Sequence, residues 1–112
     1  MSSKLGLKLT RHYSINFDAI SRNNRLIKFV IIHYTGMRKQ SEAIKRLCSP
    51  KSKVSSHYFI KNNGEVLKLV PDLYIAWHAG ESIWKKYKSL NKYSIGIEIN
   101  NPGHANKYNK FY

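Results

Sequence analysis

The chain has 112 residues and a mass of 13.1 kDa, with 20 Lys+Arg against 6 Asp+Glu and a formal net charge of +14. That length holds one domain with a modest core, and 42% hydrophobic content excludes a wholly disordered basic tail. No apolar run reaches the ~18 residues needed to span a bilayer, and the single cysteine, Cys48, excludes an internal disulfide.

Met1 to Leu9 carries lysine inside its only apolar run and has no small-residue cleavage site, so no export signal is read there. Residues 1–24 read as a polar N-terminal extension ending in the loop Ser21-Arg22-Asn23-Asn24, and the folded domain is expected over 25–112. Leu26 to Thr35 is almost continuously apolar and β-branched, the pattern of a strand buried on both faces of an α/β sheet, and Gly36 closes it. Ser41 can cap a helix that places Ala43, Ile44, Leu47 and Cys48 on one face and stops at Pro50. Cys48 then reads as a small core-facing residue rather than a reactive thiol. His57 to Lys61 and Glu65 to Val70 flank Asn62-Asn63-Gly64, a strong hairpin signal. Ala76 to Gly80 has no assignable pattern, and Lys85 to Lys92 reads as a polar loop. Ser94 to Asn100 alternates as a strand, with Ile95, Ile97 and Ile99 on one face and Gly96, Glu98 and Asn100 on the other.

The positive charge suits a polyanion such as nucleic acid, an anionic lipid surface or an acidic wall polymer. It is spread, however, over separate clusters at Lys51/Lys53, Lys85/Lys86/Lys88 and Lys107/Lys110. Lys, Asn, Ile and Tyr, all encoded by A/T-rich codons, make up 45 of the 112 residues, so base composition alone can inflate lysine. None of the familiar DNA- or RNA-binding signatures is present, and no nucleic-acid partner is expected.

Two residues break their local pattern. His33 ends the most apolar strand, and Glu98 lies near the end of another, beside Gly96. Ligands gather outside the carboxyl ends of strands in open α/β sheets, where an imidazole and a carboxylate could serve as metal ligand and general base. A hydrogen-bonded core histidine and an edge-facing glutamate fit the same pattern. His57 and His78 sit in ordered-looking segments, and no His-x3-His or Cys-x2-Cys zinc spacing exists.

Phe29 to Thr35, Val54 to Ile60, Leu69-Val70-Pro71-Asp72, Ala76-Trp77-His78-Ala79-Gly80-Glu81-Ser82, Trp84, and Leu90-Asn91 followed by Ser94 to Ile99 occur in one order. That order resembles the zinc-dependent N-acetylmuramoyl-L-alanine amidases, the AmpD-like and AmiD-like subgroup on the fold shared with peptidoglycan recognition proteins and phage T7 lysozyme. The resemblance covers about residues 27–112. It implies an α/β fold with a mixed central sheet and flanking helices, and peptidoglycan or muropeptides as partners at the bacterial envelope or outside the cell. His33 matches the first zinc-ligand histidine, and Glu98 the acidic residue that activates the zinc-bound water. His57, Trp77 and His78 match residues near the substrate groove. The reaction implied is hydrolysis of the amide between N-acetylmuramic acid and L-alanine, with zinc lowering the pKa of its water from about 15.7 toward ~7.

The family's second zinc histidine, its Asp or Cys ligand and a nearby basic residue lie in a late motif after a long helix. This sequence stops at Asn109-Lys110-Phe111-Tyr112, about where that helix would begin. The expectation is therefore that the last helix and motif are missing, that one of three expected Zn2+ ligands is present, and that this form is inactive alone. Nothing in the spacing of His104, His12 or Asp72 recommends them as substitutes. Three explanations compete, a decayed or split gene, a half completed by a separately encoded C-terminal partner, and an artificially short gene model, with the first or the third favoured. Loss of that helix would also leave apolar area exposed on one sheet face.

Overall fold

The structure, a computed structural model, describes residues 8–103. Nine strands form in chain order: β1 (Leu9–Arg11), β2 (Phe17–Asp18), β3 (Phe29–Tyr34), β4 (Tyr58–Ile60), β5 (Val66–Lys68), β6 (Ile75–Ala76), β7 (Ile83–Trp84), β8 (Tyr87–Lys88) and β9 (Ser94–Ile99). One α-helix, α1 (Gln40–Cys48), follows β3, and short 3-10 turns cover Asn24–Leu26 and Leu90–Tyr93. The main sheet has the order β1-β5-β4-β9-β3. β9 runs parallel to both β3 and β4, β1 runs parallel to β5, and β4 and β5 are antiparallel. The sheet is thus mixed and the fold α/β, as the resemblance implied.

The hairpin forms where Asn62-Asn63-Gly64 predicts it. Lys61 N–H donates to Glu65 C=O at 2.9 Å, and Gly64 takes φ +86°, a conformation that costs a residue without Cβ little. The helix begins two residues earlier than a Ser41 cap would place it. Lys39 occupies the N-cap without a side-chain hydrogen bond, and Ser41 lies inside the first turn. Ala43 and Leu47 are buried, and Ile44 and Cys48 pack half-buried against the same core. That core joins Ala43 and Leu47 to Phe59, Leu67, Leu69, Val70 and Ala76.

Three expectations are corrected. β3 is not buried on both faces: among the described strands it lies at the edge of the sheet, with Val30 62% and Ile32 64% exposed. Its apolar run reflects one face toward α1 and another open face, which the β9 residues Ile95, Ile97 and Ile99 continue through the register pairs Val30–Ile95, Ile32–Ile97 and Tyr34–Ile99. The stretch read as a polar extension belongs to the fold from Leu9 onward, since β1 adds to the main sheet and β2 pairs with β6. Its polar residues are buried as donors. Ser14 Oγ donates to Leu47 C=O at 2.6 Å, and Asn16 Nδ2 donates to Ser49 C=O at 2.8 Å and Val54 C=O at 2.9 Å, so carbonyls at the end of α1 are satisfied. Finally, Tyr87 and Lys88 within the 85–92 stretch form β8, which pairs with β7 just before it in a small hairpin.

The burial difference between the two sheet faces sets an expectation for stability. Phe59→Ala should cost about 3–5 kcal/mol, because Phe59 is fully enclosed, whereas Ile32→Thr should change stability by about 0.5 kcal/mol or less. Urea unfolding of the two variants measures both.

Candidate active site

Parallel pairing of β3 and β9 places His33 directly opposite Glu98. Residues paired across adjacent strands point to the same face, so imidazole and carboxylate emerge side by side at the carboxyl ends of both strands. They line a cavity of about 210 Å³ whose other walls include Trp77, His78 and, from α1, Arg46. Burial pushes the Glu98 carboxyl up to about 7, against the opposing pull of the Arg46 guanidinium. A carboxyl poised there exchanges protons near neutral pH.

Behind this wall lies a compact group of imidazoles. His33 Nε2 and His78 Nδ1 are 3.0 Å apart, and His78 Nε2 is 2.9 Å from Ser94 Oγ. The His33 and His78 rings meet edge-on, with centroids 5.2 Å apart, and His57 stands 6.1 Å beyond His78. Gly96 makes this stacking possible, since a Cβ there would collide with the His78 ring. His57 is fully buried and does not reach the cavity surface. Gly96 N–H donates to its Nδ1 at 3.0 Å, so Nε2 carries the hydrogen and donates to Tyr74 C=O at 2.8 Å. Burial drives the His57 pKa down to about 4. Burial, reinforced by the neighbouring histidines, drives that of His78 to about 3. His33 is also lowered by burial. The group is therefore uncharged at pH 7.

Three residues not singled out from the sequence hold this group. Arg22, from the presumed loop, is buried and donates to Ser94 C=O at 2.7 Å, Asn91 C=O at 3.1 Å and Asp72 C=O at 2.5 Å. Its Nη2 lies 3.2 Å from His57 Nε2, where two donors face each other, and burial lowers its pKa. Asn91 Oδ1 accepts from the backbone N–H groups of His78 and Ala79 at 3.1 and 2.8 Å. Ser94 links His78 to the carbonyl of Leu90. A buried arginine within a polar stretch carries no periodic signal, whereas Asn91 did lie within the segments that suggested the family.

As a metal site the donor set is short. Both ring nitrogens of His57 and His78 are engaged within the protein, which leaves one nitrogen of His33 and the Glu98 carboxylate. Among the described residues no group of three His, Cys, Asp or Glu could hold a metal ion, and a catalytic zinc takes three protein ligands. Asp72 is taken up by Tyr58 Oη at 2.6 Å and Lys68 at 3.4 Å, and His104 lies outside the described residues. The described residues do not by themselves make a zinc site.

The chain is 40% identical over 84 residues to the N-acetylmuramoyl-L-alanine amidase AmiD of Escherichia coli K12, covering 69% of this chain and 29% of that protein. Over 47 residues it is 43% identical to the 1,6-anhydro-N-acetylmuramyl-L-alanine amidase AmpD of Citrobacter freundii, covering 42% and 25%. It therefore spans under a third of the length of the curated relatives it matches. Among solved structures, it resembles Escherichia coli AmiD in complex with anhydro-N-acetylmuramic acid-L-Ala-D-gamma-Glu-L-Lys, with TM-score 0.62 and 33% identity, covering 85% of this chain and 38% of that one. An AmpD crystal structure superposes at TM-score 0.67 with 22% identity, covering 89% and 65%, a likeness of fold. The model of the N-acetylmuramoyl-L-alanine amidase family matches residues 22–111. The chain belongs to the N-acetylmuramoyl-L-alanine amidase family.

Proposed function

We propose that this chain carries one wall of an amidase active site for the bond between N-acetylmuramic acid and L-alanine in peptidoglycan or its muropeptides. The observation supporting this most directly is the side-by-side placement of His33 and Glu98 in one cavity. Glu98 is the general base. Its carboxylate takes a proton from the attacking water as the C–O bond forms at the lactyl carbonyl. It returns that proton to the nitrogen of L-alanine as the C–N bond breaks. Trp77 and His78 bound the groove that receives the sugar and peptide, and His57 supports His78 from behind. Arg46 and the overall positive charge favour an anionic wall polymer.

Zinc, when bound in this family, polarises the scissile carbonyl and acidifies water. His33 is the residue that would hold it here. Two further ligands would have to come from outside residues 8–103 or from a separate polypeptide, and the steps assigned above belong to Glu98 and the cavity walls. The 112-residue chain should therefore bind Zn2+ weakly and release no L-alanyl peptide from muropeptides, as followed by chromatography of the products. Turnover that Glu98→Gln abolishes would overturn the claim of inactivity.

The short donor set also favours a second reading, a non-catalytic peptidoglycan-binding module. In that case the protein sediments with insoluble peptidoglycan and leaves it unhydrolysed. A chain that stays in the supernatant rules this out.

The raised Glu98 pKa has a consequence for stability. A folded carboxyl at about 7 against an ordinary value of 4.5 favours the protonated form. Its stabilisation is complete below pH 4.5 and is lost as pH rises through 7. Glu98→Gln removes that loss. Relative to the wild type, the variant should gain about 2 kcal/mol at pH 8 compared with pH 4, at ~1.4 kcal/mol per pKa unit less a discount for partial solvation. Denaturant midpoints at the two pH values measure it, and an equal difference at both would refute the shift.

A further inference from the structure

We infer that His78 is a positioning residue: oriented by Ser94, it fixes the hydrogen of His33 on Nε2 and leaves Nδ1 as a bare lone pair for the cavity. The direction is set at the far end of the chain of contacts. The carbonyl of Leu90 can only accept, and Ser94 Oγ lies 2.7 Å from it, so the single hydroxyl hydrogen points there. Toward His78 Nε2, 2.9 Å away, the same oxygen must then accept, which puts the His78 hydrogen on Nε2. A neutral imidazole has one N–H, so His78 Nδ1 is an acceptor, and His33 Nε2 at 3.0 Å donates to it. His33 is thereby held with Nδ1 unprotonated. The opposite polarity would set two acceptors, Ser94 Oγ and the Leu90 carbonyl, against each other at hydrogen-bond distance.

The rest of the site keeps this relay in place. Asn91 Oδ1 holds the His78 backbone, and Arg22 holds the carbonyl of Ser94. The missing Cβ at Gly96 lets the His78 ring sit in line with Ser94. His57 is on a separate circuit, because its Nδ1 accepts from Gly96 N–H and its Nε2–H donates to Tyr74 C=O. A ligand histidine is usually oriented by a carboxylate, a carbonyl or water. Here a second imidazole takes that part, with a serine and a backbone carbonyl behind it. The inference rests on the reading of His33 as the donor atom facing the cavity.

The test is long-range 1H–15N correlation on the full chain with 15N-labelled histidine, metal-free, at pH 8, where all three rings are neutral. In the wild type, His33, His78 and His57 should each show the Nε2–H tautomer. Ser94→Ala removes the acceptor for His78 and should turn His33 into a mixture of tautomers, while His57 stays unchanged as the internal control. Wild-type His33 with its hydrogen on Nδ1 would overturn the inference without any variant, as would a His33 spectrum unmoved by Ser94→Ala. The experiment contains no metal, so a failure to bind Zn2+ counts against the proposed function alone.

Discussion

The parallel register of β3 on β9 is the constraint on which the site depends. One residue of slip would send either His33 or Glu98 to the opposite sheet face, because side chains alternate strictly along a strand. The register is fixed by continuous pairing from Phe29–Ser94 to Tyr34–Ile99. It is extended beyond the strands by Thr35 N–H to Ile99 C=O at 3.0 Å and Gly36 N–H to Asn101 C=O at 2.8 Å. β4 on the other side of β9 adds its own ladder and the buried Phe59. The placement of His33 beside Glu98 thus rests on backbone pairing between segments more than sixty residues apart, a non-local contact whose loop entropy must be met by the core formed around α1 and Phe59.

On the face that this register selects, β9 itself presents small or polar residues rather than aliphatic ones. Ser94 and Asn100 are buried, and Gly96 lies beneath an imidazole. Such an interior is stable only when its polar groups are paired. The two imidazole circuits, with Arg22 and Asn91 around them, supply those partners, and among the described residues Arg22 Nε is the one buried side-chain nitrogen or oxygen left without one. Uncharged histidines avoid the cost of burying several cations together. The site is in this sense a polar core whose outermost members reach the cavity.

That His33 and Glu98 stand out from their strands was legible because each interrupts an apolar pattern, and the hairpin was legible because Asn-Gly turns have a mechanical cause. The inward direction of the strands was not. Alternation in Ser94 to Asn100 reveals two faces but cannot say which is packed, and hydrophobicity points to Ile95, Ile97 and Ile99, whereas the structure packs Ser94, Gly96 and Asn100 inward. The N-terminal segment was missed for a related reason. β1 and β2 have three and two residues, too few for a period to register, and Ser14, Asn16 and Arg22 look like solvent-facing residues until their carbonyl partners are seen. The β7–β8 hairpin escaped notice because its strands are equally short.

The open aliphatic stripe through Val30 and Ile32 has a colloidal consequence. An edge strand with exposed branched side chains is a template for association with another copy of itself. The formal charge of +14 opposes this by keeping molecules apart. Repulsion of that kind has a range of about 8 Å at physiological ionic strength and about 3 Å at 1 M salt, while contact between aliphatic surfaces is not weakened by salt. Concentrated salt would thus remove the barrier and keep the attraction, so that dilute buffer, rather than brine, is the medium in which this fold stays dispersed.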